Sequence, residues 1–168
     1  FYWELYMKKK FLKLCLMLVT GISLNTKAYT LDKILTVKAL SCEAEQPDDN
    51  ISKLYYLAMS DKLNIKKINN NSLIVGDIYV ENIKNFTGKD KNINLSLIFD
   101  YKLDNVVISK IAFLTNPSYN EDEWGGYYYV VEGSRKDFLN FTKKYHLSFD
   151  NITKTPLGNY RVTCIMVG

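Results

Sequence analysis

The chain has one histidine, His146, in 168 residues, and that scarcity excludes more chemistry than any other feature. A zinc site needs three or four Cys, His or carboxylate ligands, which a single His beside paired cysteines does not supply. A Ser–His–Asp or Cys–His arrangement has one available base, and no nucleophile-elbow sequence surrounds any serine. His146 follows a predicted helix, where an imidazole interacts with the last carbonyls instead. Glycine is also sparse, at eight residues. The pair Gly125-Gly126 lacks the further glycines and the Lys of a phosphate-cradling loop. Asn120-Glu121-Asp122-Glu123 clusters oxygen ligands but fits no EF-hand spacing. Paired carboxylates for glycoside hydrolysis carry no signal without geometry. No cofactor, metal site or catalytic residue is expected, and the chain reads as a non-enzyme.

An excess of positive charge is lacking too, once its location is considered. The formal charge is +4. Five of the 22 Lys+Arg precede residue 29, as does one of the 18 Asp+Glu, leaving 17 of each. A nucleic-acid footprint is therefore not expected, nor is a polybasic membrane patch, since the lysines are scattered.

What is present begins with Met7 to Ala28, MKKKFLKLCLMLVTGISLNTKA. Lys8, Lys9, Lys10 and Lys13 form a basic head, Leu14 to Leu24 an apolar middle, and Asn25 to Ala28 a small-residue tail. This is the order of a secretory signal peptide, with cleavage expected after Ala28. The middle falls short of the roughly 20 residues that span a bilayer, so no anchoring is expected after cleavage. Residues 1–6, FYWELY, read as translated leader ahead of a true start at Met7. Trp3-Glu4 must be encoded TGGGAR, a purine run resembling a bacterial ribosome-binding sequence. Residues 29–168 then form a single exported globular domain, periplasmic or secreted.

Cys15 leaves with the signal, and Lys13 sits where a lipoprotein box needs a small or apolar residue. Cys42 and Cys164 remain. An even count in an oxidising compartment predicts a disulfide between them, the alternative being two buried free thiols.

Along the mature chain, Leu31, Ile34, Leu35 and Val37 allow a short helix over 31–40, and a strand running into Cys42 fits nearly as well. Residues 51–59 are equally open between a helix capped by Asn50 and a buried strand. The reading is mostly β from Asn64: a strand over Ser72–Val80 with Gly76 as a bulge, and a turn over Phe86–Lys91. A hairpin then pairs Ile93–Tyr101 with Val106–Leu114. Thr115–Gly126 is a polar loop releasing into a strand at Tyr127–Val131. Ser134, with Asp137 three residues on, caps a helix over 134–145 whose last turn holds Lys143-Lys144. A loop through Pro156 and Gly158 leads to a final strand, Asn159–Val167. The expected architecture is α+β: one antiparallel sheet of about five or six strands with the 134–145 helix on one face.

One stretch stands out for function. Pro117–Tyr129, PSYNEDEWGGYYY, puts three consecutive acids among aromatics. Tyr and Trp anchor protein interfaces, and acids meet basic surfaces. Tyr119, Glu121, Asp122, Glu123, Trp124 and Tyr127 are the candidate binding residues; the alternative is a solvated loop with Trp124 folded on the sheet and alternate tyrosines inward. The expected function is non-catalytic binding of another exported protein, of inhibitor or immunity type. A small envelope enzyme using carboxylates, or a structural surface component, is the alternative.

Overall fold

The computed structural model describes residues 27–44, 49–60, 63–115 and 125–166. The expected leader and most of the signal segment lie outside this range. The architecture is α+β, as expected, but with two sheets instead of one.

The chain enters as β1 (Lys27–Tyr29) and makes two single-turn helices, α1 (Leu31–Ile34) and α2 (Val37–Leu40). Helices this short are not stable in isolation. Burial holds them: Leu31, Ile34, Ala39 and Leu40 all lie in the core, and the Thr36 hydroxyl caps α2 by accepting the Ala39 N–H at 3.3 Å. Helix wins over strand again in α3 (Asn50–Met59), because Ile51, Leu54 and Ala58 fall on one buried face. Its N-cap is Asp49, not Asn50. The Asn50 amide instead donates to the Lys33 carbonyl at 3.0 Å, tying the start of α3 to α1.

The smaller sheet contains β2 (Ile65–Asn69), β3 (Ser72–Val75) and β4 (Ile78–Glu81) in antiparallel order, with β1 added parallel to β4. The single strand expected over Ser72–Val80 is thus a hairpin. Gly76, at φ 61°, takes the left-handed conformation that the turn requires. Cleavage after Ala28 would leave only Tyr29 of β1, and Tyr29 is itself buried.

The larger sheet orders its strands β5 (Asn85–Thr87), β6 (Ile93–Leu103), β7 (Val106–Thr115), β8 (Gly125–Glu132), β10 (Tyr160–Met166) and β9 (Ile152–Lys154), all antiparallel. The expected hairpin is β6–β7. The short edge strands were not expected: Phe86 belongs to β5, not to a turn, and β9 precedes the Pro156 loop. Helix α4 (Arg135–Lys144) lies on the inner face of this sheet. Ser134 caps it by accepting the Asp137 N–H at 3.1 Å. Phe138 stacks on Tyr160 with ring centroids 3.7 Å apart, and Phe141 meets Tyr129 edge-on.

One core joins the helices, the smaller sheet and the inner face of the larger one, where Leu95, Leu97, Phe99, Ile111, Phe113 and Val131 are buried. Cys42, just past α2, is disulfide-bonded to Cys164 of β10, with Cα atoms 5.0 Å apart, inside the range that a disulfide spans. Among the described residues no helix is long and apolar enough to cross a membrane.

Close approach, not phosphate chemistry, explains Gly126. A Cβ there would lie 2.1 Å from the Cys164 carbonyl oxygen and 3.2 Å from the Ile165 Cα, so β10 backbone would have to move. At Gly125 the main obstacle is the end of the Tyr55 side chain, with the Leu114 carbonyl oxygen at 3.1 Å as a lesser one. Gly126→Ala should therefore cost about 1–3 kcal/mol through overpacking, and Gly125→Ala less. Urea unfolding of the two variants checks this ordering.

Candidate binding face

Strand alternation gives the larger sheet a second face. Register places Ser96, Ala112, Tyr128 and Thr163 in one cross-strand row, and Ile98, Lys110, Val130 and Arg161 in the next. Leu114, Gly126 and Ile165 form a third. Ala112, Tyr128 and Val130 make a buried apolar cluster, with Ile93 and Leu114 packed against it. Every member is a sheet residue; no helix and no strand of the smaller sheet contributes.

The polar groups around this cluster converge on Tyr128. The Arg161 guanidinium carbon lies 4.0 Å from the ring centroid and the Lys110 ammonium 5.5 Å, both within cation–π reach. Two cations gathered at one ring repel each other, so an acid between them would be expected. Among the described residues neither has an ion-pair or hydrogen-bond partner, and Arg161 Nε is sealed from solvent without an acceptor. The acids nearby are otherwise placed. Asp100 is paired with Lys84, while Glu132 lines one depression with Lys110 and Arg161 and Asp90 lines another with Arg161, neither forming an ion pair with them.

Two depressions meet at Tyr128 and Arg161. One, about 440 Å³, runs between Lys110, Val130 and the turn bearing Leu157. The other, about 390 Å³, runs towards Leu114, Thr115 and the turn at Asp90–Asn92. Apolar side chains stand exposed at both ends: Leu157 is 88% exposed and Ile165 55%.

Of the candidate residues from the sequence, Tyr119, Glu121, Asp122, Glu123 and Trp124 lie outside the described residues. Tyr127 is placed, and it is not available for binding. It is 1% exposed, and its hydroxyl donates to the Ala39 carbonyl at 2.6 Å. Its partner across β10 is Cys164, so it points inward beside the disulfide. Tyr129 points the same way and donates to the Leu40 carbonyl. Burial pushes the titration of both hydroxyls up. Tyr128, between them, is the one turned to the outer face.

Reading along the sequence missed Lys110 and Arg161, although a signal was there. Lys110 is the one charge in VVISKIAFLT, and Arg161 the one charge in YRVTCIM. A lone charge inside an apolar strand marks a position that has to reach solvent or a partner. Arg161 is also one of only two arginines in the chain, against 20 lysines. Among the described residues no three Cys, His, Asp or Glu side chains gather as a metal-binding group. No family model matches the chain, and neither does a curated protein or a solved structure.

Proposed function

We propose that the chain is an exported, non-catalytic binding domain of inhibitor or immunity type, which engages another exported protein through the outer face of its larger sheet. One observation carries this reading: two cations with no ion-pair partner among the described residues meet at Tyr128, flanked by the exposed side chains of Leu157 and Ile165. Tyr and Arg are the residue types enriched where interfaces carry their affinity. Export to the periplasm or beyond rests on the Met7–Ala28 pattern, and the disulfide agrees with an oxidising compartment.

A photocrosslinking residue placed in turn at Ile165, Leu157, Val37 and Ile68, in the native host, tests the reading. Ile165 and Leu157 flank the face. Val37 and Ile68, 68% and 44% exposed, lie on α2 and β2. Adducts with one exported protein should form from the first two positions and not from the others. Equal yield from all four, or none from any, overturns the proposal.

A further inference from the structure

The two cations at Tyr128 narrow the chemistry of the partner, granted that the outer face is an interface. We infer that Arg161, Lys110 and Tyr128 form a carboxylate-binding point, and that the partner docks an acidic segment there, placing an Asp or Glu side chain against the Arg161 guanidinium. Charge complementarity is the basis. The face concentrates two positive charges at one ring, and among the described residues no acid forms an ion pair with either, Glu132 and Asp90 lining the flanking depressions instead. Stacking on Tyr128 holds the guanidinium plane in place, which reduces the ordering cost of a two-point bond to a planar carboxylate. The flanking depressions accept the apolar neighbours of that acid, one towards Leu114 and the other towards Val130 and Leu157.

Lys84 is matched by Asp100 and Lys144 by Asp104, each pair exposed at the protein surface. Exposed pairs of this kind contribute little to stability. Arg161 and Lys110 differ in converging on one ring, beside the buried cluster of Ala112, Tyr128 and Val130. Interfacial charge pairs mainly fix register and speed association, so this point would select an acidic partner and orient it across the strands.

The experiment uses the disulfide-bonded mature domain and a synthetic peptide of alternating Glu and Thr, with its Gln/Thr counterpart as control. Titration is followed by NMR at the Arg161 Nε–H and the Tyr128 ring. The Glu peptide should shift both signals saturably and the Gln peptide neither. Arg161→Gln should weaken binding at least tenfold. Arg161→Lys should weaken it several-fold, because an ammonium keeps the charge and loses the fork; it also covers the case in which Arg161→Gln fails to fold. Lys110→Gln should weaken binding about threefold and flatten its salt dependence.

Several results would overturn the inference. They are equal shifts by the Gln peptide, no shift at either signal with several millimolar Glu peptide, and unchanged affinity in both Arg161 variants. Tighter binding of inorganic phosphate or a single-stranded oligonucleotide would assign the cations to phosphate instead. Binding that emerges only when Glu121, Asp122 and Glu123 are changed to Lys would assign them to the chain's own acids. The two proposals fail separately. Crosslinks at Ile165 and Leu157 that survive Arg161→Gln retain the interface and sink the carboxylate point. Specific binding of the Glu peptide without crosslinks does the reverse.

Discussion

Replacing Cys164 with serine should lower the melting temperature by roughly 10–20 °C. The bond joins residues 122 apart in sequence. In the chain-entropy account, closing a loop of that length contributes about 4–5 kcal/mol by restricting the unfolded chain. The position of the bond adds a folded-state contribution. It fastens the end of α2, a single helical turn with no independent stability, to the middle of β10. Tyr127, opposite Cys164 on β8, anchors the same turn through its hydroxyl. Losing the bond should therefore loosen 37–42 first, and hydrogen exchange should rise there before it rises in β6 or β7. Thermal melts of Cys164→Ser, and of the unmutated domain after reduction, should agree with each other. A shift below about 2 °C in both would mean that the unfolded chain is already compact or that the packing around α2 suffices alone.

How far the fold was legible depended on whether a segment repeated its signal often enough. Ile93–Leu114 repeats it for two long strands around Asp104-Asn105, and the hairpin forms where it was expected. Ser134 with Asp137 fixes one end of α4 by local hydrogen bonding, which needs no tertiary context, and that cap is present. Ser72–Val80 failed for a specific reason. Val75 and Ile78 are both buried although three residues apart, which breaks strand alternation; the glycine between them marks a turn and not a bulge. The edge strands β5 and β9 have three residues each, too few to show any period. Residues 51–59 satisfied both periods, and contacts with β3, β6 and β7 decided for helix. The binding face was illegible in another way. Three consecutive tyrosines carry no information about which points outward; only the pairing of Tyr127 with Cys164 sets that alternation. Arg161 and Lys110 meet at Tyr128 from strands separated by β8, a juxtaposition that exists only after the sheet is assembled.

Changing both Tyr127 and Tyr129 to phenylalanine should destabilise the domain near neutral pH and yet make it more resistant to alkali. The neutral-pH loss follows from the accounting of helix ends. The last carbonyls of a helix have no partner within it, and in α2 the Ala39 and Leu40 carbonyls accept the two tyrosine hydroxyls at 2.6 Å each. Phenylalanine keeps the ring packing and removes that donor, at a cost of about 1–3 kcal/mol at the Leu40 carbonyl and less at Ala39, whose carbonyl also accepts the Cys42 N–H at 3.4 Å. The alkaline gain has the opposite origin. Burial raises both hydroxyls above the ordinary value of 10.0, Tyr127 with a further push from the Asp49 carboxylate. Above pH 10 the unfolded chain therefore releases protons that the folded chain retains. The folded state then binds more protons, and stability must fall as pH rises. Below pH 10 the two hydroxyls are protonated in both states and their contribution is fully present. Each tyrosine contributes a slope of about 1.4 kcal/mol per pH unit beyond that point, so the pair should remove up to about 5 kcal/mol by pH 12. Lysines titrate in the same window, which is why the comparison must be between the two proteins and not along one curve. Urea unfolding at pH 8, 10, 11 and 12 supplies it. The Phe/Phe variant should be the less stable at pH 8 and lose much less between pH 10 and 12, so that the two curves converge or cross. Parallel curves would show that the hydroxyls reach water in the folded state, and would remove the two tyrosines as the anchor of α2.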